Sequence, residues 1–206
     1  MKLGILGTGM IVKDLLSTVH KLPFRSLAIL GTPETEAETR ELATRYQIDE
    51  VWFDYQAMLD SDVDTIYVAL PNHLHFPFAS QALQNGKHVI IEKPITTSVD
   101  ELNRLKNLAT EQNLIILEAM NIHYLPAYLS LQTQLANIGR VKLVSLNYSQ
   151  YSSRYDDFMA GIVHPAFDAK KGGGALMDIN VYNLHFVAGL FGKPQTVNYL
   201  ANMHNN

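Results

Sequence analysis

His88-Val89-Ile90-Ile91-Glu92-Lys93-Pro94 is the stretch that decides the fold. Its β-branched centre, residues 89–91, carries no polar side chain and reads as a strand buried on both faces. Pro94 lacks a backbone donor and pushes Lys93 away from helical angles, so the strand stops there. Lys93 is thereby placed at the carboxyl end of a central strand, the edge at which open α/β sheets bind ligands. Taken alone, a lysine after a strand reads as a solvated loop charge; the rest of the chain changes that reading.

Upstream, the apolar run 3–6 leads straight into Gly7-Thr8-Gly9-Met10-Ile11-Val12, and a helical pattern follows with Val12, Leu15, Leu16 and Val19 on one side. Strand, glycine turn and helix are the context a dinucleotide-binding turn requires. Gly7 permits the tight turn, and Gly9 lets the backbone approach a pyrophosphate at the helix amino end. Val12 replaces the third glycine of the general pattern, and a tight βα turn without a ligand remains the alternative. Residues 27–30 read as the second strand, followed by Gly31-Thr32-Pro33-Glu34. An acid ordinarily closes this strand where NAD is bound, holding the ribose hydroxyls. Neither Gly31 nor Thr32 is acidic, so no carboxylate stands there to repel a 2′-phosphate, which leans the choice between NAD and NADP toward NADP. No arginine closes the strand either; Arg40 lies along the next helix.

The alternation continues through a polar helix over 36–46, a short strand over 51–53 and a helix over 55–59 capped by Asp54. Residues 65–70 read as a strand stopped by Pro71, so Pro71-Asn72-His73-Leu74-His75 is expected as a loop on the same edge as Gly7 and Lys93. Residues 76–85 form a helix ended by Gly86. Ser98-Val99-Asp100-Glu101 is a capping box opening a helix to about residue 112, and 114–117 form a further strand. Strand and helix alternating over 1–120 indicate an α/β fold with a doubly wound, Rossmann-type parallel sheet. Beyond residue 120 the texture changes. Residues 126–136 read as a helix, 141–151 as a longer sheet strand, 175–190 as a helix after the Lys170–Gly174 turn, and 196–200 as another strand.

Composition narrows the class. Apolar residues make up 47% of 206 and charged residues 17%, which fits a soluble globular chain with a full core. A net charge of −4 offers no electrostatic case for nucleic acid. The absence of cysteine excludes disulfides and thiolate metal sites and suits an intracellular, cytoplasmic protein. The first residues are too short and too glycine-rich for a signal peptide, and no apolar run approaches bilayer length. The histidines show no metal-binding spacing, so no metal is expected.

Gly7-Thr8-Gly9, Pro71-Asn72 with His75, Glu92-Lys93-Pro94, and the run Gly172-Gly173-Gly174-Ala175-Leu176-Met177-Asp178-Ile179-Asn180-Val181-Tyr182 together resemble the Gfo/Idh/MocA oxidoreductases. The resemblance covers nearly the whole chain. It implies a dinucleotide-binding domain over 1–120, then a substrate and oligomerisation domain over 121–206. That second domain would be α+β with a largely antiparallel sheet, here incomplete, because the family's usually runs further. It implies an NAD(P)-dependent dehydrogenase moving a hydride between nicotinamide and a hydroxyl or carbonyl carbon of a sugar, polyol or similar small molecule. A homo-oligomer is also implied.

By the same resemblance Lys93, Asp178 and Tyr182 are the catalytic candidates. Asp178 and Tyr182 fall four apart, on one helix face. Read without it, Asp178 is a helix-start acid and Tyr182 a core aromatic. The cofactor would be held by Gly7, Thr8, Gly9, Met10, Ile11 and Thr32 from the first βαβ unit. Pro71, Asn72, His75, Glu92, Lys93 and Pro94 complete that set. His123, where many members carry arginine, and His185 are candidates for the substrate wall; His185 is equally a plain helix-face residue. The alternative function is a non-catalytic dinucleotide-binding or regulatory module, left by the shortened second domain.

Overall fold

The structure is a computed structural model describing residues 1–201, in two compact units that meet in sequence between Ala119 and Met120. In the first unit six strands form one parallel sheet: β1 (Lys2–Leu6), β2 (Ser26–Leu30), β3 (Glu50–Trp52), β4 (Thr65–Val68), β5 (His88–Ile91) and β6 (Ile116–Glu118). Their order across the sheet is β3-β2-β1-β4-β5-β6. The chain starts in the middle, winds outward one way, then returns to wind the other. The doubly wound sheet expected from the alternation is therefore present.

Five helices make the crossovers: α1 (Met10–Thr18), α2 (Glu36–Tyr46), α3 (Tyr55–Asp60), α4 (Asn72–Gln84) and α5 (Val99–Glu111). Side chains alternate across each strand, so two cores form, one on each face. Leu6, Leu30, Ile66, Val68 and Ile91 face α3, α4 and α5 through Met58, Leu83 and Leu105. Leu3, Ile5, Leu27, Ile29 and Tyr67 face α1 and α2 through Val12, Leu16 and Leu42. All four residues of β4 are buried, as a central parallel strand requires.

Local signals fix the helix ends. Asp54 accepts the Ala57 N–H at 2.8 Å, and Ser98 accepts that of Glu101 at 3.2 Å. The Glu101 carboxylate reaches back to the Thr97 N–H, one residue earlier than the capping-box pattern assigns. In the first unit the start of α4 differs most from expectation. The segment 71–75, read as a loop because Pro71 stops the strand before it, is mostly the first turn of α4, which begins at Asn72. Pro77 removes one helical hydrogen bond, but burial of His75 anchors the turn, and tertiary packing overrides the local preference.

The second unit contains α6 (Pro126–Gln134), α7 (Tyr155–Met159) and α8 (Val181–Phe191), the last entered through a π-helical turn at Leu176–Asn180. Among the described residues no strand forms after Glu118, so the expected strands over 141–151 and 196–200 are absent. A helix satisfies its backbone internally, whereas a strand needs a neighbour. Residues 142–151 are exposed and have no ladder partner among the described residues. Among those residues no helix is long and apolar enough to cross a membrane.

Candidate functional site

In the first unit the strand register assembles the site. Leu6 lies opposite Val68, and Val68 opposite Ile91. The glycine turn, the start of α4 and Glu92-Lys93-Pro94 therefore emerge side by side at one sheet edge. The chain leaves β5 with Glu92 N–H still donating to the Val68 carbonyl at 3.0 Å.

Gly7 adopts φ +101°, a conformation side chains resist, and a Cβ there would stand 2.9 Å from the Ala69 carbonyl oxygen. Gly9 caps α1 with extended backbone and, among the described residues, nothing lies within 4 Å of where its Cβ would be. The amino end of α1 has no side-chain cap and no acid in its first turn. Its N–H groups and the helix dipole suit an anion, and the space over Gly9 lets one approach. A dinucleotide pyrophosphate fits these features. Met10 and Ile11, the first residues of the helix, are exposed, while Thr8 is buried.

Thr8 donates from its hydroxyl to Glu38 on α2 at 2.7 Å, and the Lys13 ammonium reaches the other Glu38 oxygen at 2.6 Å. Lys13 foremost, then Thr8, hold the Glu38 carboxyl below its ordinary pKa. At the end of β2, Thr32 is exposed and its N–H donates to Thr35 Oγ1 at 2.9 Å. Arg40 pairs with Glu36 at 2.8 Å and lies over the Phe53 ring.

On the β5 side, Glu92 is held at both oxygens, by the Tyr67 hydroxyl at 2.5 Å and by the Lys93 N–H at 3.2 Å. Lys93 is half-buried and Pro94 buried, with a cis peptide between them. The next N–H, of Ile95, donates to Glu118 at 2.9 Å. Pro71 is the exposed N-cap of α4, and Asn72 is half-buried.

His75, expected to touch a cofactor, is wholly buried. Its Nδ1 faces the Pro94 carbonyl at 2.8 Å and its Nε2 the Leu70 carbonyl at 2.7 Å. It ties the two loops of the site together from behind. A neutral imidazole donates from one nitrogen and an imidazolium from both. Burial holds its pKa below the ordinary value, against the pull of the two carbonyls and of Glu92 and Glu118.

In the second unit Asp178 sits on the π-helical turn and Tyr182 on the first turn of α8, both half-buried. Such turns recur at functional sites. Tyr182 meets Tyr148 edge-on, ring centres 5.5 Å apart. With Asn121, Asn147, Asn183 and Phe186 these two tyrosines line a cavity of about 330 Å³. His123 Nε2 and His185 Nδ1 lie 3.2 Å apart, so one of the facing nitrogens is unprotonated. Behind them Tyr128 is buried, edge-on to both His123 and Phe186.

Residues 1–120 match an oxidoreductase family with an NAD-binding Rossmann fold. The chain belongs to the Gfo/Idh/MocA oxidoreductases. It is 33% identical over 198 residues to scyllo-inositol 2-dehydrogenase (NADP(+)) of Bacillus subtilis, covering 96% of this chain and 60% of the relative. It is 29% identical over 209 residues to trans-1,2-dihydrobenzene-1,2-diol dehydrogenase of Xenopus laevis, covering 98% of this chain and 61% of the relative. Among solved structures it is similar to a 3-ketoreductase from Actinomadura kijaniata in complex with NADP and TDP-benzene. That likeness has a TM-score of 0.74 and 27% identity, over 93% of this chain and 57% of the other. The chain thus spans about three fifths of the length of these relatives.

Glu38, Lys13 and Tyr67 were not marked by the sequence pattern. The available signal was register: β1 beside β2 brings the glycine turn to α2, and β4 beside β5 brings Tyr67 to Glu92.

Proposed function

We propose that this family member is an NAD(P)-dependent oxidoreductase acting on a hydroxyl or carbonyl carbon of a sugar, polyol or related small molecule. One observation carries the reading: the uncapped, acid-free amino end of α1 and the Glu92-Lys93-Pro94 turn share one sheet edge. NADP is the favoured dinucleotide. The strand-end position lacks an acid, and the Bacillus dehydrogenase named above is specified for NADP. Its named substrate and that of the dihydrodiol dehydrogenase support a polyhydroxylated or cyclic alcohol.

The N–H groups that open α1 hold the pyrophosphate, with Gly9 giving it room. When bound, the nicotinamide supplies the hydride donor or acceptor. The chain's own groups handle the proton that must accompany that transfer. Lys93 in the first unit and Tyr182 in the second are the acid–base candidates, each carrying a side chain able to give or take a proton. Asp178 orients the substrate hydroxyl. His123 and His185 form part of the substrate wall.

The test combines binding with turnover. Fluorescence titration of NADPH and NADH should show saturable binding, and a panel of inositols, pentoses and dihydrodiols should show turnover. Lys93→Met should abolish turnover and leave dinucleotide binding within about threefold. Tight binding without turnover across the panel favours the non-catalytic module. Unchanged turnover in Lys93→Met removes the lysine from the chemistry.

A further inference from the structure

The glycine turn and the end of β2 are neighbours: Leu6 lies opposite Leu30, and the Gly7 N–H donates to the Leu30 carbonyl at 3.1 Å. In sheets of this kind an acid at the end of β2 reads the ribose hydroxyls of the dinucleotide. Here the fold forbids one at the first position past the strand. A Cβ on Gly31 would stand 2.1 Å from Thr39 Oγ1. Thr39 is wholly buried and pinned, its hydroxyl donating to the Thr35 carbonyl at 2.8 Å. Thr32 follows, engaged in the cap that starts the next helical turns.

The carboxylate arrives from α2 instead. Glu38, the neighbour of Thr39, accepts the hydroxyl of Thr8, the middle residue of the glycine turn, and carries Lys13 on its second oxygen. Glu38 and Lys13 remain 41% and 48% exposed, so both can exchange partners with a ligand. Resting on the dinucleotide reading above, we infer that Glu38 and Lys13 read the 2′ position of the adenosine ribose. Glu38 accepts from the 2′-hydroxyl of NAD, replacing the missing strand-end acid. Lys13 pairs with the 2′-phosphate of NADP. A carboxylate and an ammonium at one position would let the chain take either dinucleotide, the balance between them being set by the pair.

Dissociation constants of NADH and NADPH, measured by nicotinamide fluorescence on the intact chain, test this directly. Glu38→Gln keeps an acceptor for Thr8 and removes the charge. It should shift the NADPH-to-NADH affinity ratio about fivefold toward NADPH, the upper range for one exposed charge pair. Lys13→Met should shift the ratio by a similar factor toward NADH. Far-ultraviolet circular dichroism checks that both variants are folded. If both bind the two dinucleotides in the wild-type ratio, or both lose them equally, the pair is structural only and the inference fails. If the wild-type chain binds neither, the functional reading beneath it fails as well.

Discussion

The two units treat their backbone differently. In Met1–Ala119 every strand has a neighbour, and both sheet faces are packed by helices. In the second unit the buried apolar side chains among the described residues are Met120, Tyr128 and Val181. Leu143 there is 86% exposed and Leu200 97%. Helices appear in both units because their hydrogen bonds are local. Sheet appears only where distant segments meet in register. Regular structure among the described residues after residue 120 is therefore limited to helices, whose backbone bonding is short-range.

Hydrogen exchange would break this contrast most readily. Amides of Ile66 and Val68 should exchange only through global opening, on the order of 5 kcal/mol or more, while those of residues 142–150 open at close to zero. Comparable protection in both segments would show that 141–151 pairs after all. Core truncation gives the next largest effect. Ile66→Ala should lower unfolding free energy by about 3 kcal/mol, followed by the fluorescence of the lone tryptophan, Trp52. Leu143→Ala should change it by less than about 0.5 kcal/mol. Equal costs would mean that Leu143 is packed in solution.

The smallest effect is titration of His75. Its pKa in the fold is below the ordinary 6.5, so the unfolded chain takes up a proton first as the pH falls. The stability this group contributes is fully present above 6.5 and is lost as the pH drops through the lower folded value. Glu34, Glu38 and Asp64, whose pKa values are also lowered, add losses of their own only below the ordinary carboxylate range. Urea midpoints should therefore decline as the pH falls below 6.5. His75→Gln should flatten that segment of the profile. A flat wild-type profile would mean that the imidazole binds its proton equally well in the folded and the unfolded chain.

Most of the first unit was legible because its signals are local: β-branched runs, glycine stops, and side-chain caps such as Asp54 and Ser98. The start of α4 was not, because Pro71 argued for a loop where the burial of His75 holds a first helical turn. The alternating residues 141–151 were read as a strand, but alternation records only that a segment could pair. At the sheet edge the glycine turn and the Lys93 turn were visible as motifs. Glu38 was not, since an ordinary acid on a polar helix acquires meaning only once β1 and β2 are set side by side.

The contact between Gly31 and Thr39 also limits how this lineage could change. An acid at Gly31, the first position past β2, is out of reach in a single substitution, because residue 39 must first become smaller. The order of the two changes is fixed: the helix yields before the strand end gains a side chain. Redesign of nucleotide preference, in the laboratory or by descent, would therefore start from exposed positions on α1 and α2, where no such clash stands in the way.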